Sequence, residues 1–528
     1  MEKLLTKYIA WSLYGLIIAL YIFSLWTLLD YHNAQTYRDW RETAQILKYS
    51  LWQAGLSAVL SLLFGTLLAR SFFYLQFRGK ALLYRMISFT WALPSLVVIF
   101  AIIGVWGNSG WLAQTLSLLG LDWQPQLYGL QGILIAHLFF NVPLAAKYGL
   151  SALQLIPSSQ HQLAAQLHLH GWHYFRIVEL PSLKKVLPYA FSTIFLICFT
   201  SFPIVLMLGG GPKYSTLEVA IYQAVAFEFD FAKAFILIVV QLAIGLILQL
   251  LMLRIGKAAF SHTHNGAVVV DKIWLPKPQG IGKYGLQASL GLLALLTILP
   301  LLNVISNAVF VSHFFTRLAN PQLWQAAFYS ILLSVVASLS VVIIAYSIAL
   351  EARKLAYQQK RFQYNMLVAG TLYPLIFPIF LLAVGLFLLL IEIELSNTEL
   401  LLLIGFCNGL TLLPYIYHLL YPPMWEALTA QDKLARSLGL QGFTRWWIVE
   451  KGYLLKPLRN AFALAMSASL GSFAVIAFFG SPDFSTLPYL LYQQLGSYRT
   501  EDAAVTALVL MLFALLPFLF IEQPENRQ

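Results

Sequence analysis

Only 10% of the 528 residues are charged, while 59% are hydrophobic; a water-soluble domain carries roughly 25% charge. That shortage excludes an ordinary soluble enzyme. Cysteine is scarcer still. Cys198 and Cys407 are the only two, and both lie inside apolar runs, so neither a disulfide framework nor a thiolate metal site can be assembled. No GxxxxGK followed by Ser or Thr occurs. The nearest string, Gly280-Ile-Gly282-Lys283-Tyr284, lacks the loop length and the hydroxyl of a nucleotide cradle. HExxH and GxSxG are missing too, and no carboxylate pair falls within an apolar run, which argues against an intramembrane hydrolase. Mid-run acids are absent, so an ion-coupled relay has no carriers. His137 is the one histidine in the middle of such a run; it reads as a hydrogen-bonded structural residue, with a pathway role as the alternative.

Long apolar stretches are what the chain has instead. Twelve occur, near residues 8–29, 51–69, 86–106, 129–150, 186–208, 234–253, 286–311, 324–350, 367–391, 399–421, 457–479 and 503–521. Each can cross a hydrocarbon core of about 30 Å as a helix. They are continuously apolar rather than alternating, which excludes barrel strands. The first, behind Lys3 and Lys7, is too long for a signal-peptide core and is expected to be a membrane helix. Twenty-six of the 33 Lys and Arg fall on the side of the N-tail, even-to-odd loops and C-tail. That bias predicts both termini in the cytoplasm, with Gly256–Leu286 inside and Asp30–Ser50 outside. It also explains the net charge of +11 without a nucleic-acid partner.

The chain repeats itself. Leu51–Ala54 and Leu323–Ala326 both read LWQA; Pro143 matches Pro414, and Ser201-Phe202 matches Ser472-Phe473. Two six-span halves in the same order must be parallel repeats about an axis along the membrane normal. This divides the chain into residues 1–255, a linker over 256–285 with His262 and His264, and residues 286–528. The densest repeat is in a loop: eleven identities align 162–187 with 433–458. Loops normally diverge fastest, so a loop kept alike in both halves suggests a partner of matching symmetry. His161, His168, His170 and His173 crowd its first copy, but their counterparts Asp432, Gly439, Gln441 and Thr444 could not reproduce a metal site. A second repeated segment, Ser215–Gln223 and Ser485–Gln493, opens with Ser215-Thr-Leu-Glu218, which predicts a capping box on an outer cap, gate or docking ledge.

These loops carry a resemblance. Gln162–His168 (QLAAQLH) and Lys433–Gly439 (KLARSLG) resemble the EAA-x-x-x-G loop of permeases in ATP-binding-cassette importers, and Ile177 to Pro181 resembles its closing I-x-L-P. Three longer strings, at Tyr128–Ala145, Ala164–Pro181 and Leu487–Leu510, are similar to the fused thiamine transport permeases of Gram-negative bacteria. Fused ferric-iron permeases are the alternative. The resemblance implies an all-α, type I importer permease of about twelve transmembrane helices in the bacterial inner membrane. It also implies two copies of a separate cytoplasmic ATPase, a periplasmic substrate-binding protein, a small-molecule cargo and no cofactor or metal on this chain.

By the same resemblance the ATPase-coupling residues are Gln162, Leu163, Ala164, Leu167, His168, Gly171, Ile177, Glu179, Leu180 and Pro181 in the first loop. In the second they are Lys433, Leu434, Ala435, Leu438, Gly439, Gly442, Ile448 and Glu450. Each loop is expected to form a short helix, with the small Ala164 and Ala435 facing the ATPase groove. His168 replaces the family's glycine, a position that favours positive φ. Thiamine carries a quaternary thiazolium, for which an aromatic face is the expected partner; Phe202 and Phe473, beside Ser201 and Ser472, are the candidates along the pathway.

Overall fold

The computed structural model describes residues 2–33, 39–90, 93–121, 125–260, 274–276, 278, 280–390, 393, 395–440, 442–481 and 484–519. Among them there is no strand. The first half contains α1 (Glu2–Asn33), α2 (Trp40–Tyr74), α3 (Lys80–Phe89), α4 (Ser95–Trp106), α5 (Trp111–Leu118), α6 (Leu130–Gln154), α7 (Ser158–Gln166), α8 (Gly171–Tyr174), α9 (Leu180–Phe199), α10 (Pro203–Leu208), α11 (Leu217–Ala226) and α12 (Phe231–Phe260). The second contains α13 (Gly280–Val309), α14 (Phe314–Leu318), α15 (Pro321–Tyr357), α16 (Arg361–Ile376), α17 (Ile379–Leu390), α18 (Asn397–Ser437), α19 (Gly442–Arg445), α20 (Lys451–Leu470), α21 (Ile476–Phe479), α22 (Leu487–Gly496) and α23 (Thr500–Leu519).

Ten helices among the described residues are long and apolar enough to cross a membrane, and the bent pair α16–α17 makes an eleventh. The twelfth expected span falls on α20, which stands where α9 stands in the first half but carries Lys451, Lys456 and Arg459. The helices also outrun the sequence-based boundaries. α2 has 35 residues, roughly 52 Å at 1.5 Å per residue, so residues 40–50 are helix rather than outer loop. α12 and α13 reach into the expected linker from both sides. Its middle, with His262 and His264, lies outside the described residues.

Each half lends its first helix to the other. α1 packs along α15 and α17, while α13 packs along α4 and α2. Missing side chains make these crossings close. A Cβ on Gly104 of α4 would lie 2.0 Å from Asn303 Oδ1 of α13, and one on Gly385 of α17 would lie 2.4 Å from Ser24 Cβ of α1. The two sequence repeats are therefore not separate packing units.

Hydrogen bonds fix the register of the repeat at the end where α2 and α15 meet α11 and α22. Ser50 Oγ of α2 accepts the first amide of α11, Leu217 N, at 3.0 Å. Ser330 Oγ of α15 accepts the first amide of α22, Leu487 N, at 2.7 Å. Helix starts carry amides with no intrahelical acceptor, and both long helices satisfy one with a serine. Ser50 and Ser330 stand 280 residues apart, whereas the LWQA match implies 272. Leu51–Ala54 and Leu323–Ala326 thus share letters but not places. The capping box at Ser215 does not form either: Thr216 is the N-cap of α11 without a side-chain bond, and Glu218 turns inward to accept from Gln241 Nε2 at 2.5 Å.

Candidate functional site

The two repeated loops fold alike. α7 ends at a Schellman turn in which Leu169 N donates to Ala164 O and His168 N to Ala165 O. The tail of α18 ends likewise, Leu440 N donating to Ala435 O and Gly439 N to Arg436 O. The left-handed position is held by His168 (φ 51) in one copy and Gly439 (φ 65) in the other, so histidine takes the glycine's conformation. Gly171 (φ 55) and Gly442 (φ 59) supply a second left-handed residue. One difference separates the copies. α7 is a distinct helix after Pro157, as expected, whereas α18 runs unbroken through Pro422 and Pro423 for 41 residues.

After each turn the chain makes one π-helical turn, Phe175–Glu179 and Trp446–Glu450, 271 residues apart. Each ends on a buried glutamate. Glu179 accepts from Arg70 Nε of α2 at 2.7 Å and from Tyr74 Oη at 2.7 Å. Glu450 accepts from Arg353 Nη2 of α15 at 2.8 Å and from Arg445 Nε at 3.1 Å. These carboxylates face inward and tie the loops to the long helices, so they are not contact residues. None of these three arginines is among the sequence candidates.

Buried partners also lock each loop internally, with different chemistry at equivalent places. His161 Nδ1 lies 2.6 Å from Tyr174 Oη; at the same two positions Asp432 accepts from Arg445 Nη1 at 2.8 Å. Burial pushes the His161 imidazole below its ordinary range. His168, His170 and His173 stay exposed, and among the described residues no three His, Cys, Asp or Glu side chains are placed to hold a metal.

Ala164 and Ala435, expected to face a groove, are buried in the chain itself. Ala164 belongs to one buried cluster with Leu153, Tyr174 and Val178. The outward apolar surface consists of Leu163, Leu167, Trp172 and Ile177 in one copy and Leu434, Leu438, Phe443 and Ile448 in the other, all at least 56% exposed. Gln162 and Lys433 are exposed beside them. Leu180 and Pro181 begin α9; their counterparts are Lys451 and Gly452.

In the membrane, Phe202 and Phe473 meet. Each sits where a long helix breaks, between α9 and α10 and between α20 and α21, and both are buried. Their rings stack with centroids 5.8 Å apart and planes 8° apart. Tyr222 and Phe380 pack on Phe202 at 5.1 and 4.7 Å, and Tyr492 packs on Phe473 at 5.0 Å. Tyr222 and Tyr492 belong to α11 and α22, so the two repeated segments build the wall of this aromatic cluster. Of the neighbouring serines, Ser472 Oγ donates to Asn408 Oδ1 at 3.0 Å, while Ser201 borders a cavity.

Residues 61–260 match the family model described as binding-protein-dependent transport system inner membrane component. The chain is 43% identical over 476 residues to the thiamine transport system permease protein ThiP of Haemophilus influenzae, covering 90% of this chain and 88% of that one. It is 40% identical to ThiP of Salmonella typhimurium (92% and 90% covered) and 40% identical to ThiP of Escherichia coli (91% and 89%).

Proposed function

Because this chain belongs to the thiamine transport permeases of binding-protein-dependent importers, we propose that it carries thiamine through the membrane along the seam between its halves. It is a transport subunit, not an enzyme, and works with a binding protein and an ATPase. The relatives favour thiamine over the ferric-iron alternative.

Two ATPase copies would dock on the two loops, each meeting the exposed Leu163, Leu167, Trp172 and Ile177 or their equivalents. Closure on ATP would draw the loops together. The Arg70–Glu179 and Arg353–Glu450 pairs would pass that movement to α2 and α15, the long helices against which α6 and α18 pack. The pathway would open where Phe202 and Phe473 part. Both termini would be cytoplasmic, with the binding protein delivering cargo from the other face to the α11 and α22 side.

The observation that carries this reading is the duplicated loop: the same turn, exposed apolar residues at the same four positions and a buried glutamate tied to a long helix in both halves. The test is vitamin uptake by a strain that depends on external thiamine. Uptake should vanish when the gene is deleted and return with the wild-type copy. Iron uptake that fails on deletion while thiamine uptake persists would overturn the cargo. Orientation is tested by single cysteines at Ser261 and His32 with an impermeant thiol reagent in cells, where labelling at 261 and none at 32 would reverse it.

A further inference from the structure

His137 of α6 is buried, and only one of its nitrogens is used. Nδ1 lies 2.9 Å from Ser57 Oγ, whereas Nε2 has no hydrogen-bond partner among the described residues. A buried polar nitrogen left unpaired is costly, so its retention asks for a partner that comes and goes. The imidazole borders a cavity of about 170 Å³ whose wall also holds Ser95, Asn141 and Ser201. A second cavity, of about 160 Å³, is bordered by Leu412, Tyr415, Leu464 and Ser467 of the other half. Leu93 and Ser95 border both.

Asn141 and Leu412 occupy equivalent repeat positions, and the two cavities adjoin at Leu93 and Ser95; the first offers His137, Asn141 and Ser201, the second Tyr415 and Ser467 among aliphatic side chains. Ser201 precedes Phe202, which sets the aromatic stack at one end of the polar lobe. Among the described residues neither wall contains Asp or Glu, so a cation there meets ring faces and dipoles rather than a fixed counter-charge. That suits a carrier, which must release what it holds.

Resting on the thiamine reading above, we propose that the two cavities form one substrate site, with His137 Nε2 hydrogen-bonding the aminopyrimidine and Tyr415 lying against the thiazolium. Thiamine is two rings joined by one methylene, one ring for each lobe. With Nδ1–H donating to Ser57 Oγ, Nε2 is left as an acceptor for the pyrimidine amino group, the donor that oxythiamine lacks. The thiazolium needs an aromatic face more than a hydrogen bond.

The test is permease selectivity with the binding protein unchanged. Uptake of thiamine and of oxythiamine, in which the pyrimidine amino group is replaced by oxygen, is measured in cells carrying wild type, His137→Ala or His137→Gln. His137→Ala should lower the thiamine-to-oxythiamine ratio about fivefold to tenfold, the scale of one net hydrogen bond, and His137→Gln should restore most of it. An equal fall for both compounds would make His137 a packing residue and overturn the site. Should His137→Ala fail to accumulate, alkylation of Ser201→Cys in the purified permease–ATPase complex gives a second readout, since Cys198 and Cys407 are buried. Thiamine should slow that alkylation; an unchanged rate would overturn the proposal. Failure of the transport reading itself would show in wild type, as uptake of neither compound, whereas failure of this inference shows only in the variants.

Discussion

Phe202 stacks on Phe473 across the seam between the halves, rings nearly parallel and both buried. Each closes the break in its own helix, so the contact exists only while the breaks face one another. Removing either ring destroys the same interaction, and the losses should not add. Phe202→Ala and Phe473→Ala should each slow thiamine uptake severalfold, with the double variant little worse than the slower single. A double-mutant cycle on thermal unfolding should return a coupling of about 0.5–1.5 kcal/mol. Wild-type uptake in the double variant would remove the pair from the pathway.

The exposed and buried residues of the loops should separate by phenotype. Leu163→Asp with Leu434→Asp puts charge on the outward surface, so the permease should accumulate normally but lose the ATPase on purification. Ala164→Asp or Ala435→Asp puts an unpaired charge inside the loop, so the permease itself should be depleted from the membrane. Equal ATPase retention in wild type and the leucine double variant would show that the apolar surface is not the contact.

The two glutamate ties should differ in strength. Arg353 and Glu450 are both almost wholly buried, whereas Arg70 retains 24% side-chain exposure opposite Glu179. Breaking a buried pair strands the other charge and costs about 3–5 kcal/mol, while water can solvate a half-buried arginine. Glu450→Gln should therefore lower the melting temperature of the purified complex more than Glu179→Gln. The reverse order would mean that Arg353 is compensated elsewhere, its bond to Met424 O being the candidate.

The same ties show what the sequence carried and what it hid. Continuous apolar runs and the loop repeat are readable because both are local patterns; the equivalent places of Phe202 and Phe473 mark them as pathway candidates, while their stacking on one another appears only in the structure. The clasp between halves was not readable, since Gly104 and Gly385 look like any membrane glycines until Asn303 and Ser24 lie against them. The long-helix register misled because a four-letter string outweighed position. A better signal was present: Ala69-Arg70, Tyr74 and Arg78 recur as Ala352-Arg353, Tyr357 and Arg361, all 283 residues on, and that offset superposes the two arginines that hold Glu179 and Glu450.

Stability should fall as pH rises through the range where Glu218 loses its proton. α11 lies outside the ten spans, and burial lifts this carboxyl from 4.5 to about 8. One proton between Glu218 Oε2 and Gln241 Oε1, both without partners among the described residues, would complete an acid–amide pair. The folded state thus holds a proton that the unfolded chain releases above about pH 4.5. The stabilisation is full below that value and is lost as pH rises through about 8. Melting temperature should drop between pH 5 and 8, and Glu218→Gln should flatten the slope. His161 works with the opposite sign, since its lowered imidazole favours the folded state at neutral pH and loses that advantage on acidification. A Glu218→Gln protein with the wild-type slope would assign the dependence elsewhere.

The two glycine crossings predict a rescue that works on one side only. A methyl on Gly104 would collide with Asn303 Oδ1, Cγ and Nδ2, all side-chain atoms; a methyl on Gly385 would meet Ser24 Cα at 2.6 Å as well as its Cβ. Overpacking of this kind typically costs about 1–3 kcal/mol. Asn303→Ala removes every atom in the first collision at the loss of two bonds, from Asn303 Nδ2 to Gly104 O at 3.2 Å and from Asn307 Nδ2 to Asn303 Oδ1 at 3.0 Å. Ser24→Gly leaves the second collision in place because the backbone remains. Gly104→Ala should therefore lower the melting temperature and Asn303→Ala should recover most of the drop, while Gly385→Ala should stay destabilised with Ser24→Gly. Equal rescue on both sides would show that α1 can move away from α17, and the clasp would then be no closer than an ordinary helix crossing.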